Sequence, residues 1–389
     1  MISVEDALDL VEKNVQQSAS RAIAVKDALG LILAEDVASP IDMPPFSQSA
    51  MDGYAVNYDP AIEMYTVIAE IPAGSSKSYE LVRGEATRIF TGGPVPKSAN
   101  MVIRQEDVNV VGSQISFTPA AEGANIRPKG EQIKTGEIAM KAGSELNPAA
   151  IGYLSTLGIT EVRVYPRPRV AILTTGNELV APGKELKYGQ IYESNSIMLE
   201  AAFNYYGFRD ISQVTIPDNY EDTVEAIQST LNRCNILVLS GGISVGDYDF
   251  VGKALRETGV KEVFYKVKQK PGKPIFFGIY KDKLVFALPG NPAAAMTSFY
   301  LYILPTLNKW TGGDFVGCSK TELPLSTDYT RKGQRTEILK AYATEDEVKI
   351  LGAQSSAMLG SFAEANALVV ITEDVEHVSK GQFVVTLLL

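Results

Sequence analysis

Four polar segments could carry chemistry, and each follows an apolar run directly. RVAILTTGNELV leads into Thr174, Thr175, Gly176, Asn177 and Glu178, and VTIPDNY leads into Asp218. ILVLSGGISVGDYDF carries Ser240, Gly241, Gly242, Ser244, Gly246, Asp247 and Asp249, while FALPGNPAAA carries Pro289, Gly290, Asn291 and Pro292. Glycines in SGGISVG permit positive φ and let several backbone N–H groups converge on one anion. The loop lacks both the GxxxxGK[ST] of a nucleoside-triphosphate loop and the Rossmann spacing. Taken alone, it reads first as a tight strand-to-helix turn. PGNP places Asn291 as N-cap and Pro292 at the first helical position, and plain capping accounts for it.

The run YKVKQKPGKP adds four lysines. Lys266, Lys268 and Lys270 alternate, so on a strand they project to one face, and Lys273 follows a Pro-Gly turn. In an acidic protein such a run is either a solvated guard on an edge strand or an anion clamp. Its place beside the glycine loop favours the clamp. If Glu178, Asp218 and Asp249 share one crevice, they repel. Two carboxylates 4 Å apart cost about 4 kcal/mol at an effective dielectric near 20. A bound phosphate makes this worse unless Mg²⁺ bridges carboxylates to phosphate oxygens and lysines neutralise the rest. The composition points to a magnesium-dependent site for a phosphorylated anion.

Scarcities narrow the chemistry. The chain has two cysteines, Cys234 and Cys318, and one histidine, His377, in the acidic stretch TEDVEHVSK. These counts disfavour a disulfide framework, a Cys-based zinc site, Ser-His-Asp and Cys-His catalysis, and His-rich metal sites. A metal here should be a hard cation held by oxygen. The 36 Lys+Arg against 46 Asp+Glu give a formal net charge of −10, which disfavours phosphate backbones and anionic membranes as partners. The N-terminus has no basic n-region or apolar h-region, and Ser3 reads as the N-cap of a first helix. The most apolar segment, 293–307, contains Thr, Ser, Tyr and a late Pro and is too short to span a bilayer. A cytoplasmic protein is expected.

The elements that must position these residues fall into distinct stretches. In VEDALDLVEKNV, Ala7, Leu10 and Val11 recur at helical spacing. From 44 to about 124, short β-rich runs (YTVIAEI, EATRIF, NMVIRQEDVNVV, SQISFTP) alternate with Gly, Pro and Ser clusters, which predicts a small antiparallel β-domain. NPAAIGYLSTLG opens a helix with Asn147 as cap and Pro148 in the first turn. From 167 to 312, strands alternate with helices; in YEDTVEAIQSTLNRC the spacing places Val224, Ile227 and Leu231 on one face. This predicts a right-handed, mostly parallel α/β sheet with its ligand crevice beyond the carboxyl ends of the strands. RTEILKAYA, EVKILGA, NALVVIT and FVVTLLL predict a last small β-domain over 313–389. The expected fold is multidomain α/β plus β.

Seven blocks occur in order: PPFSQSAMDGYAV (44–56), FTGGPVP (90–96), NIRPKGE (125–131), TTGNELV (174–180), LSGGISVGDYD (239–249), KQKPGKP (268–274) and LPGNPAAA (288–295). Together they resemble the signature blocks of the MoeA family of molybdopterin molybdenumtransferases and of the gephyrin E domain. The resemblance implies four domains: a mixed N-terminal domain over 1–43 and 125–166, a β-rich domain over 44–124, a three-layer MogA-like α/β domain over 167–312 and a β-barrel-like domain over 313–389. It implies a homodimer with its active site between subunits, and a transferase that converts adenylylated molybdopterin and molybdate, with Mg²⁺, to molybdenum cofactor and AMP. By motif, Asp52 and Thr91 should line the cleft from the N-terminal side, with Arg127 as an anion contact. Glu178, Asp218 and Asp249 should be the acidic groups of the α/β side, with Asp52, Glu178 and Asp249 holding Mg²⁺. Lys266 and Lys270 should hold phosphate or molybdate; Ser240, Gly241, Gly242, Ser244 and Lys273 should contact substrate; Pro289 and Pro292 should shape the last loop. One departure is Gln132, where the family often has Asp after Gly-Glu. Alternatives are a molybdopterin adenylyltransferase, which could also be a partner delivering the pterin, a carrier or scaffold paralogue, and a tungstate-inserting homologue.

Overall fold

Val170–Thr175 and Ile236–Ser240 are buried at every position, so each needs cover on both faces of a sheet. The computed structural model, which describes residues 1–217, 219–243 and 250–389, gives them that cover. Ile211–Ile216, Val170–Thr175, Ile236–Ser240 and Lys283–Leu288 lie side by side in parallel. Phe276–Tyr280 and Lys261–Tyr265 then extend the sheet antiparallel. Alternating strands and helices account for the parallel part, and the two-stranded antiparallel edge is what makes the sheet mixed. The turn joining Phe276–Tyr280 to Lys283–Leu288 carries Lys281 at φ 56°, without the Asn-Gly or Asp-Gly signal that usually betrays a hairpin.

One face of the sheet is covered by the helix Asn195–Tyr205, through Leu199 and Phe203, and by the long C-terminal helical run. The other face is covered by Tyr220–Leu231 and Phe250–Glu257, with Ile227 and Leu231 buried and Val224 packed beside them. The run begun at PGNP is helical from Pro292 to Trp310, but Phe299–Ile303 is a π-turn. Widening the helix there lets Pro305, which has no N–H to donate, sit at the start of the following α-segment.

The first helix, Val4–Asn14, has Ser3 in a full capping box. Its Ala7 and Val11, with no exposed surface, pack into the same core as Val170, Ile172 and Phe203. Residues 1–21, expected with the mixed N-terminal domain, therefore belong to the α/β unit. By its packing the chain forms two units, Met1–Arg21 with Gly30–Ala34 and Arg163–Leu389, and Ala22–Leu29 with Glu35–Val162.

Within the second unit a six-stranded sheet runs in the order Met101–Arg104, Gly53–Val56, Glu85–Ile89, Tyr65–Ile71, Gln114–Phe117, Val108–Val111. It is antiparallel except that Tyr65–Ile71 and Glu85–Ile89 pair in parallel, a departure from the expected all-antiparallel domain. The connection 72–84 is long enough to carry the chain back across.

The C-terminal strands form a sheet in the order Gln269–Lys270, Thr336–Ala343, Ala367–Ile371, Phe383–Leu388, Ser319–Pro324. Its first strand comes from the lysine run, so that run leaves one sheet at Tyr265 and joins another at Gln269. Among the described residues no helix is long and apolar enough to cross a membrane.

Candidate functional site

In the α/β unit, the polar strand ends open into one cleft of about 690 Å³. Thr174 and Thr175 end the Val170–Thr175 strand, with Gly176 and Glu178 just after it; Ser240 ends Ile236–Ser240, with Gly241 and Gly242 after it; Pro289, Gly290, Asn291 and Pro292 follow Lys283–Leu288. Lys273 and Pro274 complete the wall. This is the crevice that strand polarity dictates.

Glycine at 241 is a steric requirement. Its φ is +97°, and a Cβ there would lie 2.4 Å from the Thr175 carbonyl oxygen. Gly242 follows at φ 61°, so two successive residues hold the left-handed region just past the buried strand. Asp218, Ser244 and Asp249 lie outside the described residues.

The two loops are tied by a residue the sequence reading did not single out. Asn195 Nδ2 donates to Ser240 Oγ at 2.9 Å and to the Gly290 carbonyl at 2.8 Å. Its helix start is fixed by Glu193, nearly buried, whose carboxylate accepts from Ser196 N–H at 2.9 Å and from the Ser196 hydroxyl at 2.6 Å. The signal was the polar ESNS at the start of a helix that follows a short strand. Asn195→Ala, which unties both loops, should cost about 1–2 kcal/mol of stability and raise KM for the cleft's ligand on the order of tenfold. Denaturant melts beside steady-state kinetics check both numbers.

The lysines diverge instead of sharing a face. Lys266 has φ 71° and its ammonium lies over the Tyr265 ring, 4.5 Å from the centroid. Lys268 pairs with Glu373 at 3.7 Å, and Lys270 Nζ donates to the buried Glu337 carboxylate at 2.7 Å. Only Lys273 of the four lines the cleft. The left-handed residue at 266 and the jump between sheets break the alternation that the spacing suggested.

In the N-terminal unit three of the sequence blocks meet. Gln48–Ser49 pairs with Ile126–Arg127, while Ser49 N–H donates to the Gly93 carbonyl and Gly92 N–H donates to that of Ser49. PPFSQSAMDG, FTGGPVP and NIRPKGE thus form one small structure around Ser49. Asp52 Oδ1 accepts from the Thr91 N–H and from its hydroxyl, both at 2.8 Å. Those bonds, the backbone one first, hold the Asp52 carboxyl below the usual aspartate range. Gly53, beside it, starts a strand so close to its neighbour that a Cβ would lie 1.9 Å from the Ile103 carbonyl oxygen. Arg127 is exposed on its short strand, and Gln132 is exposed with its backbone N–H donating to the Met43 carbonyl.

The thiols lie apart from this chemistry. Burial pushes both Cys234 and Cys318 up to about 11, where neither supplies a thiolate at neutral pH. His377 is exposed and contacts Thr330 Oγ1 at 3.0 Å. Among the described residues no three His, Cys, Asp or Glu side chains gather as a metal cage.

Comparison with known proteins identifies the family. Three family profiles match: the MoeA N-terminal region (domain I and II) over 2–158, a probable molybdopterin binding domain over 171–309, and the MoeA C-terminal region (domain IV) over 322–389. The molybdopterin molybdenumtransferase of Haemophilus influenzae is 32% identical over 92% of this chain and 91% of its own. That of a Nostoc species is 33% identical over 100% of this chain and 94% of its own. A crystal structure of the molybdopterin biosynthesis MoeA protein from Pyrococcus horikosii superposes with a TM-score of 0.84 at 32% identity, covering 100% of this chain and 99% of that one. With the seven blocks in order and relatives matching end to end, the chain belongs to the transferase family of molybdopterin molybdenumtransferases.

Proposed function

We propose that this protein inserts molybdate into adenylylated molybdopterin with Mg²⁺, giving molybdenum cofactor and AMP, as a cytoplasmic homodimer. The observation that carries the reading is the α/β cleft itself: backbone turns at Gly241-Gly242 and Pro289-Gly290, one lysine and an exposed carboxylate at the carboxyl ends of parallel strands. That equipment suits a phosphorylated, anionic ligand. In the proposed dimer, Asp52, Thr91 and Arg127 of one subunit complete the cleft of its partner.

The donor set fits Mg²⁺. That ion keeps several waters and takes one or two carboxylates plus phosphate oxygens, whereas a fully protein-ligated metal needs a cage that the described residues do not form. Glu178 in the α/β cleft and Asp52 in the N-terminal unit are the described carboxylates that would hold it. When bound, Mg²⁺ offsets the phosphate charge.

The chain's own residues do the rest by positioning. AMP is a good leaving group, so no protein nucleophile is required, in keeping with the raised thiols. Lys273 supplies positive charge in the cleft wall, and Asn195 keeps the two loops at a fixed separation. Asp52, kept ionised by Thr91, offers its other carboxylate oxygen to the metal or an ordered water.

Reconstitution with adenylylated molybdopterin, Mg²⁺ and molybdate tests the proposal through molybdate-dependent AMP release and activation of an apo-enzyme. Asp52→Asn should lower kcat at least tenfold, since an amide keeps the Thr91 bonds but not the charge, while leaving the melting temperature near that of wild type. Ligand binding without AMP release in wild type would instead favour a carrier, and equal turnover with tungstate would widen the substrate.

A further inference from the structure

An unexplained ammonium lies deep in the C-terminal domain. Lys340 sits in the middle of the Thr336–Ala343 strand and is only 3% exposed. Its Nζ donates to three backbone carbonyls, those of Ala353 at 2.7 Å, Met358 at 2.8 Å and Ser355 at 3.4 Å. All three acceptors lie on one loop. Burial draws the pKa of Lys340 down, because taking the ammonium out of water disfavours its charged form. A strand that needed only apolar filling would carry Leu or Met at this position, because a buried charge is costly unless every proton is used.

The same loop is clamped twice more. Gln354 Oε1 accepts from the Lys340 N–H at 3.0 Å, and its Nε2 donates to the Lys340 and Leu351 carbonyls, both at 2.8 Å. Ala353 holds the left-handed φ of 53°, unusual for alanine, and its carbonyl accepts from both the Lys340 ammonium and the Ser361 hydroxyl.

What the loop reaches gives it a function. The Ser356 carbonyl accepts from the Ala293 N–H at 3.1 Å, and Ser356 Oγ accepts from Asn291 Nδ2 at 2.8 Å. Asn291 occupies the N-cap position of the PGNP helix, yet its side chain makes no capping bond to that helix. The loop supplies an acceptor for one of the helix's orphan N–H groups and holds the idle Asn291 side chain. Its next residue, Ala357, lines the cleft.

We propose that Lys340 is a positioning residue for the α/β cleft: it folds the 351–361 loop so that Ser356 caps the PGNP helix and Ala357 stands against the site. The C-terminal domain thereby fixes the wall that Pro289, Gly290 and Asn291 form. Only the kinetic readout below rests on the proposed function.

The test is hydrogen exchange on the full-length protein, comparing wild type with Lys340→Met, which preserves length and removes the donors. The peptide containing Ala293 should exchange on the order of tenfold faster in the variant, with Val170–Thr175 unchanged. A purely local role inside the C-terminal sheet leaves the Ala293 peptide at wild-type protection, and that result overturns the proposal. Should Lys340→Met fail to fold, Gln354→Ala loosens the same loop more gently and must give the same pattern.

In turnover, KM for the adenylylated pterin should rise with kcat held within about threefold, because a mispositioned wall weakens ground-state and transition-state contacts alike. Adding Asn291→Ala to Lys340→Met should then cost little beyond either change alone, whereas additive losses would show two independent effects and refute the link. Absence of molybdate-dependent turnover in wild type counts against the proposed function, while exchange at Ala293 still decides the role of Lys340.

Discussion

Gly241→Ala should abolish measurable turnover, with at least a hundredfold loss, and lower stability by about 3 kcal/mol. Two costs add. A methyl group would lie 2.4 Å from the Thr175 carbonyl oxygen, a backbone atom on a fully buried strand that cannot step aside. The residue would also have to keep φ near +97°, which an L side chain rarely adopts. Relief requires the loop to lift off the Val170–Thr175 strand, which moves Ser240 away from Asn195 and so unlinks the loop from Gly290. Chemical denaturation together with AMP release checks the pair of effects. A variant with wild-type stability and turnover would mean that the loop relaxes freely and that its shape is not what the site depends on.

Lys270→Ala should destabilise the protein by about 3 kcal/mol at pH 7, the lower end of the range for breaking a buried ion pair, because Lys270 is itself half-exposed. Its partner Glu337 has no exposed surface. Burial alone would raise the Glu337 pKa, but hydrogen bonds from Lys270, the Tyr329 hydroxyl and the Lys332 N–H together hold it below the ordinary glutamate range. A carboxyl with a depressed folded pKa contributes stability that is present above its unfolded pKa, about 4.3, and lost as pH falls through the folded value. The gap between wild type and variant should therefore be full at pH 7 and shrink below about pH 4 as Glu337 is protonated. Lys270→Met combined with Glu337→Leu and Tyr329→Phe should recover part of the loss, since an apolar cluster needs no compensating charge and only the Lys332 N–H then lacks its partner. Melts across pH decide the matter. A gap that persisted undiminished at low pH would place the cost in lost packing and not in the ion pair.

The second result bears on function. Lys270, an expected anion contact by its motif, has a structural role as well through its pairing with Glu337. Lost activity in Lys270→Ala must accordingly be measured well below the variant's melting temperature before it is credited to substrate contact.

Much of the architecture was legible because it rests on short-range rules. Ser3 and Asn147 cap their helices as their types and positions dictate. The fully apolar runs at Val170 and Ile236 had to be central strands, and Ile227 and Leu231 had to face the core. From those strands the crevice followed, and with it the polar turns at Thr174, Ser240 and Pro289 that line the cleft.

The illegible parts involve pairings between distant residues. Nothing in YKVKQKPGKP tells that Lys266 turns left-handed, that Lys268 meets Glu373 or that Lys270 meets Glu337, because each partner lies more than sixty residues away or is set by backbone geometry. Helix Val4–Asn14 advertised an apolar face, yet which core would take it depended on the surface beside Phe299–Ile303 that only the assembled domain creates. The parallel pairing of Tyr65–Ile71 with Glu85–Ile89 looks the same as an antiparallel one in alternation and composition.

The sequence by itself determined the element types, the polarity of the α/β sheet, the end at which its cleft must open and, through seven ordered blocks, the family. These follow from periodicity, turn chemistry and burial, which are local properties of the chain. Tertiary structure alone decided that Asn195 ties two loops, that Glu337 captures Lys270 and that Lys340 sends Ser356 to cap a helix of another domain. Each of those bonds closes a long loop, and its partner is selected by where folded elements leave an unsatisfied donor or acceptor, which no local pattern encodes.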